Sequence, residues 1–253
     1  MAKPISVFEK YAHEYDLMTN AAAREKPHAL EVRALIDRFH PTSVLDAGCA
    51  TGLTSYLFAH IGIPVVGIDR SKPMLAMAKQ KYSNAELPLE FSLAHFEKLP
   101  ATFADRFDLI VCLANSISGV GSSANLQKSL ASFKRCLRPS GVLVLQLLNF
   151  AAIKEGEIFP IRATRSGDIV YHRFSERTGP VQQIHVIRTD LSQTPPSYEI
   201  FRHSYGNFTR TQMLAALKRV GLVKPIAYGK LDLSEKFRTS SRDLVLIASR
   251  PAR

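Results

Sequence analysis

Val44-Leu45-Asp46-Ala47-Gly48-Cys49-Ala50-Thr51-Gly52 sets the pattern for the whole chain. Ser43 to Ala47 is a short apolar run stopped by Gly48, which reads as a buried strand. Gly48 and Gly52 allow a tight turn and close approach of a ligand to backbone. Leu53 to Ile61 then reads as a helix. The same alternation continues downstream. A strand is expected over 64–68, a helix over 72–82 with Pro73 in its first turn, and strands over 89–93 and 107–113. Leu126, Leu130, Phe133 and Leu137 share a helical face, and Pro139-Ser140-Gly141 stops that helix before a strand at Val142 to Leu148. Upstream, helices are expected over 6–18 and 22–39, the second ended by Pro41.

Strands alternating with helices, each strand nearly continuous in apolar residues, predict a parallel sheet covered on both faces. Right-handed crossovers make it doubly wound. After Phe150 the pattern changes. Ile169 to Phe174, Val181 to Thr189 and Ser197 to Tyr205 are strand-like, with no helix between them. Their turns are Arg165 to Asp168 and Glu176 to Pro180. Short turns between consecutive strands favour antiparallel pairing. Thr209 and Gln212 then form a capping box for a helix running to Val220, stopped by Gly221. Lys224 to Tyr228 and Leu244 to Ser249 are final strands. The expectation is therefore an α/β fold. A doubly wound, seven-stranded, mostly parallel sheet spans 1–150 and 209–253, with an antiparallel sheet inserted at 151–208. The insert shapes a substrate site or an oligomer interface.

The chain has 253 residues, 46% hydrophobic and 22% charged. That excludes global disorder, and there is no collagen-like period. The longest apolar run, Val142 to Ile153, is interrupted by Gln146 and Asn149 and is far too short to span a membrane. Met1 to Ser6 has no apolar signal core. Cys49, Cys112 and Cys136 make neither a zinc pattern nor a disulfide framework, so no metal is expected and a cytoplasmic location is. The formal charge of +11 suggests a polyanionic partner. Its position argues otherwise: residues 1–150 carry +3, 151–208 carry +1, and 209–253, with ten basic and three acidic residues, carry +7. The excess is a basic C-terminal rim on residues such as Lys230, Lys236, Arg238, Arg242 and Arg253, more than a nucleic-acid groove.

The glycine turn lies at the C-terminal end of the first strand, where doubly wound sheets bind ligands. Asp69 ends the next strand, 21 residues after Gly48, well placed to accept both hydroxyls of a ribose. A dinucleotide needs Gly-x-Gly-x-x-Gly. Here the second and third positions are Ala50 and Leu53, and Asp46 would set negative charge near a pyrophosphate. S-adenosylmethionine has no phosphate but carries an ammonium, a carboxylate and a sulfonium. An acid beside the glycine turn suits its methionine end.

The run 44–52 resembles motif I of class I S-adenosylmethionine-dependent methyltransferases, and the order of later segments fits that family along most of the chain. Asp69 matches the ribose acid, followed by Arg70 to Leu75 with Met74. Ala94-His95-Phe96-Glu97-Lys98-Leu99-Pro100 resembles the segment that brackets adenine. Phe107 to Leu113 with Ala114-Asn115-Ser116 resembles motif IV, and Leu137 to Gly141 the turn before the fifth strand. Glycine N-methyltransferase and sugar N-methyltransferases are the most similar in look. Arg24, 20 residues before Val44, stands where the glycine enzyme holds the cofactor carboxylate, a pairing suited to a guanidinium. The resemblance implies a Rossmann-like methyltransferase fold, with S-adenosylmethionine as cofactor and S-adenosylhomocysteine as product. It implies contacts from Tyr11, Tyr15, Arg24, Asp46, Gly48, Cys49, Ala50, Gly52, Asp69, Arg70, Met74, His95, Phe96, Leu113 and Asn115. Two departures stand out: Ala50 replaces the second glycine, and His95 replaces an aspartate often found against the adenine amino group.

Tyr11 and Tyr15 are expected either to form a lid over the site or simply to pack an N-terminal helix. In the inserted sheet, Tyr171, His172, Arg173, His185, Tyr198, Arg202, His203 and Tyr205 offer polar and aromatic handles. Phe201, His203 and Tyr205 share one face by alternation. Asn115, His172, His203 and Tyr205 are the catalytic candidates, and a hydroxyl acceptor would need a base such as His172 or His203. The expected activity is methyl transfer to N or O of a small molecule, by a protein that is not membrane-bound and is a possible homo-oligomer. The alternatives are an RNA-directed methyltransferase, although Asn115-Ser116-Ile117 does not resemble its catalytic tetrad, and a non-catalytic cofactor-binding or assembly protein.

Overall fold

The computed structural model describes residues 5–83, 86–179 and 181–252. Met1 to Pro4, read above for a targeting signal, Pro180 of a predicted turn, and Arg253 of the basic rim lie outside the described residues.

The chain opens with α1 (Val7–Lys10), a 3-10 turn (Ala12–Glu14), α2 (Tyr15–Thr19) and α3 (Ala21–Phe39). It continues through β1 (Val44–Ala47), α4 (Leu53–Ala59), β2 (Val65–Asp69), α5 (Lys72–Tyr82), β3 (Leu89–Leu93) and β4 (Phe107–Cys112). Next come α6 (Ser123–Cys136), β5 (Leu137–Leu148), then β6 (Ile158–Ser166), β7 (Ile169–Thr178), β8 (Val181–Asp190) and β9 (Ser197–Gly206). The chain closes with α7 (Arg210–Arg219), β10 (Val223–Tyr228) and β11 (Asp243–Ser249).

Seven strands form one sheet in the order β10-β11-β5-β4-β1-β2-β3. β1 to β5 are parallel, and β10 and β11 pair antiparallel at one edge. The expected sheet is therefore present. Alternation divides its side chains between two cores. Leu45, Ile110 and Leu145 face one, with α6 and α7; Val44, Leu109 and Val144 face the other, with α3 and α4. Strand order reverses between β1 and β4, and that places a crevice above their C-terminal ends. β6 to β9 form a separate antiparallel sheet of four strands.

Three local expectations change. The N-terminal helix over 6–18 is instead three short pieces, because its polar residues are claimed by the second sheet. Glu14 accepts Arg188 Nε and Nη2 at 2.9 and 2.8 Å and the Tyr171 hydroxyl at 2.6 Å. Val7 and Met18 share a buried cluster with Tyr171, Ile184 and Val186. β6 was hidden by Pro160, which an edge strand tolerates; the register shifts between Pro160 and Arg162. Finally, α6 ends at Cys136 and β5 begins at Leu137, so the turn expected at Leu137 to Gly141 lies inside a bulged strand. No helix among the described residues is long and apolar enough to cross a membrane, and no cluster of His, Cys, Asp and Glu among them is arranged to hold a metal.

Candidate active site

The β1–α4 turn is built from left-handed backbone. Gly48 and Gly52 both have φ +87°, and Ala50 adopts φ +49°. A Cβ on Gly48 would lie 2.7 Å from Ser116 Cβ, and one on Gly52 would lie 2.7 Å from the Phe91 ring. Both positions therefore require glycine. Asp69 ties this turn to the next one. Its Oδ2 accepts the Ala50 N–H at 3.0 Å and its Oδ1 accepts the Ser71 N–H at 2.8 Å. Burial raises its carboxyl, and these backbone donors oppose the rise.

Above the turn lies a cavity of about 970 Å³. Tyr15, Arg24, Gly48, Ala50, Asp69, Arg70, Met74, His95, Phe96, Leu113 and Asn115 line it, and so does Tyr205. Four predicted contacts do not. Asp46 lies beneath the turn, where its Oδ2 accepts the Ser55 hydroxyl at 2.6 Å and burial pushes its carboxyl up to about 6. Cys49 is buried, and its thiol is pushed well up. Gly52 starts α4 and packs on Phe91. Tyr11 bonds Glu199 and sits edge-on to Phe201, so it fastens the segment to the second sheet.

The second sheet and the N-terminal segment roof the cavity through Phe8, Tyr15, Ile161, Arg162, Arg173, Ile184 and Tyr205. Asp16 joins this roof to the β1–α4 turn and to α5, accepting Thr51 Oγ1 at 2.6 Å and Lys81 Nζ at 2.7 Å. His172 points from the opposite, exposed face of β7, since Tyr171 and Ser175 are the buried neighbours. That corrects its candidacy as a base in this cavity. His203 stacks on Phe8 at 4.9 Å, and burial, with Arg70 and Arg173 nearby, lowers its imidazole. Asn115 is buried: its Oδ1 accepts Ser118 Oγ at 2.8 Å and the Leu148 N–H at 3.3 Å, while its Nδ2 has no partner among the described residues.

The Arg173 side chain makes no hydrogen bond or ion pair with any described residue, and its Nε is shut off from solvent without a partner. Burial lowers its guanidinium, and the charges of Arg24 and Arg162 act in the same direction. The Tyr15 and Tyr205 phenols beside it are held neutral by burial. The cavity's unpaired positive charge thus comes from Arg24 on α3, Arg70 just after β2, Arg162 and Arg173 of the second sheet, and Arg242. Two other rim residues are engaged elsewhere: Lys230 pairs with Glu235, and Lys236 lies 4.2 Å over the Tyr228 ring.

Sequence reading missed His28, Glu31, Arg162, Gln146 and Asp243, all of which line the cavity. The signal for two of them was present. Arg24, Pro27, His28 and Glu31 follow helical spacing along one face of α3. His28 contacts Glu31 Oε2 at 2.8 Å and Thr54 Oγ1 at 2.9 Å, joining α3 to α4.

Residues 44–141 match the family described as a methyltransferase domain. A glycine/sarcosine N-methyltransferase of Parasynechococcus marenigrum is 28% identical over 148 residues, 58% of this chain and 52% of that protein. A dTDP-3-amino-3,6-dideoxy-alpha-D-glucopyranose N,N-dimethyltransferase of Streptomyces fradiae is 28% identical over 138 residues, 53% of this chain and 52% of that one. The chain thus spans about half the length of these curated relatives. Among solved structures, an S-adenosylmethionine-dependent methyltransferase from Clostridium acetobutylicum superposes with a TM-score of 0.77 at 15% identity, over 97% of this chain and 99% of that one. The matched segment, the motif order and the sheet agree: residues 44–141 are similar to a methyltransferase domain, and the chain has the fold of S-adenosylmethionine-dependent methyltransferases.

Proposed function

We propose that the protein transfers a methyl group from S-adenosylmethionine to the nitrogen of a small acceptor that also carries an anionic group. The supporting observation is the continuity of one roofed cavity, from the Gly48–Asp69 crevice to the unpaired Arg173. The crevice fits the cofactor: Asp69 offers a carboxylate to a ribose, and Arg24 offers a guanidinium to a carboxylate. Bound S-adenosylmethionine supplies an already activated methyl. The protein's task is then to position the acceptor and exclude water, and positioning is worth about 7–11 kcal/mol. Tyr15 and Tyr205 form part of the roof that does this.

The acceptors named for the two relatives, glycine or sarcosine and a dTDP-linked amino sugar, combine an amine with an anionic group. A roof over the site suits a small molecule rather than a nucleic acid. On this reading the inserted sheet at 151–208 shapes the acceptor site. The three free, buried cysteines support a reducing compartment, the cytoplasm.

Calorimetry with S-adenosylhomocysteine tests the cofactor half. The wild type binds, and Asp69→Ala binds at least tenfold more weakly. No binding by the wild type, or equal binding by the variant, overturns the reading.

A further inference from the structure

Gln146 interrupts the apolar run of β5, and the function described so far does not use it. It sits opposite Val245 in the antiparallel pairing, which puts Asp243 on the same face as its diagonal neighbour. Gln146 Nε2 donates to Asp243 Oδ2 at 2.8 Å, and Gln146 Oε1 accepts the Ala114 N–H at 3.3 Å. One side chain therefore holds both Asp243 and the motif IV turn, where Ala114 and Asn115 are left-handed at φ +51° and +68°.

Both Gln146 and Asp243 line the cavity. The other carboxylates around it are committed or lie elsewhere. Asp69 takes two backbone N–H groups, Glu31 contacts His28, Glu9 caps α1, and Glu97 belongs to the adenine-side segment. Asp243 keeps Oδ1 without a hydrogen-bond partner among the described residues.

We propose that Asp243 receives the acceptor's ammonium group and takes its proton. The inference rests on the methyltransferase reading above. The step balances. A proton passes from the acceptor nitrogen to Asp243 Oδ1, freeing a lone pair. The nitrogen forms the N–C bond as the methyl's C–S bond breaks, and the bond's electrons stay on sulfur. Asp243 afterwards releases its proton to water. Burial raises the Asp243 carboxyl, a direction that favours accepting a proton. Glu31 on α3 adds to the rise, while Gln146 on β5 and Arg242 beside it oppose it.

The test compares the wild type with Asp243→Asn, which keeps an oxygen for Gln146. Labelled S-adenosylmethionine is offered with glycine, sarcosine, ethanolamine and O-phosphoethanolamine across a range of pH. We expect S-adenosylhomocysteine affinity within twofold of wild type, but kcat at neutral pH lower by about 100-fold. The loss shrinks as pH rises and the free amine becomes abundant. Equal activity of the variant, a loss independent of pH, or wild-type transfer to none of these amines while the product analogue binds overturns the assignment. Failure of the wild type to bind S-adenosylhomocysteine is a different result: it removes the methyltransferase reading itself.

Discussion

Arg162 on β6 and Arg173 on β7 are direct register partners, two guanidinium side chains opposite each other on the cavity side of the second sheet. Like charges directly opposite on neighbouring strands destabilise a sheet by roughly 0.2–1 kcal/mol. Nothing among the described residues neutralises Arg173. Its burial is a cost in stability that an anionic ligand would offset. Arg173→Met should therefore stabilise the ligand-free protein by about 0.5 kcal/mol in urea denaturation. The same variant should raise the acceptor KM at least tenfold and leave S-adenosylhomocysteine affinity unchanged. A parallel loss of product-analogue affinity would instead assign Arg173 to the cofactor's carboxylate.

Apart from Arg242, which lines the cavity, the basic rim should not matter in the same way. Lys230 and Lys236 are engaged by Glu235 and Tyr228 and do not line the cavity. Neutralising Lys230, Lys236 and Arg238 together should leave the acceptor KM within twofold of wild type in steady-state assays.

Gly48 and Ala50 both have positive φ, but they should respond differently to substitution. Gly48→Ala adds a strained residue and a methyl 2.7 Å from Ser116 Cβ. Strain and overpacking together should cost about 2–4 kcal/mol. Ala50→Gly relieves left-handed strain but loosens the unfolded chain by about 0.4–1 kcal/mol. It should be nearly neutral. Thermal denaturation of both variants checks the contrast.

Asp46 has its carboxyl raised from 3.8 to about 6, chiefly by burial. A raised acid binds more protons folded than unfolded between these values, so its contribution to stability falls as pH rises from about 4 to about 6. Two pK units correspond to about 3 kcal/mol. Asp46→Asn should keep the Ser55 contact and lose this pH dependence. Its stability relative to wild type should grow between pH 4.5 and 7.5, measured by urea denaturation. A constant difference would count against a buried, ionising Asp46.

Glu14 is the fastening of the N-terminal segment, through Arg188 and the Tyr171 hydroxyl. Removing one partner of a largely buried pair costs about 3 kcal/mol. Glu14→Ala should expose residues near Tyr11 to limited proteolysis while the sheet stays intact. It should also raise the KM for S-adenosylmethionine, because Tyr15 on the same segment lines the cavity.

Local sequence determined the main sheet. Its central strands carry short apolar runs, and its helices are marked by periodicity or by a stop such as Gly221 or Pro41. The cofactor crevice was legible for a similar reason: Gly48, Gly52 and Asp69 are specified by backbone geometry within about 25 residues. Tertiary structure alone decided what closes the cavity. Residues 6–18 have helical spacing, yet the segment breaks where Glu14 reaches Arg188, 174 positions away. The same holds for His172, Arg173 and Asp243. Alternation within a strand says which residues share a face, but only the docking of one sheet over another says which face meets the cavity. Gln146 shows the boundary clearly. Its polarity within β5 was visible in the sequence, while its purpose depends on Asp243, 97 residues away, arriving on the neighbouring strand in one particular register.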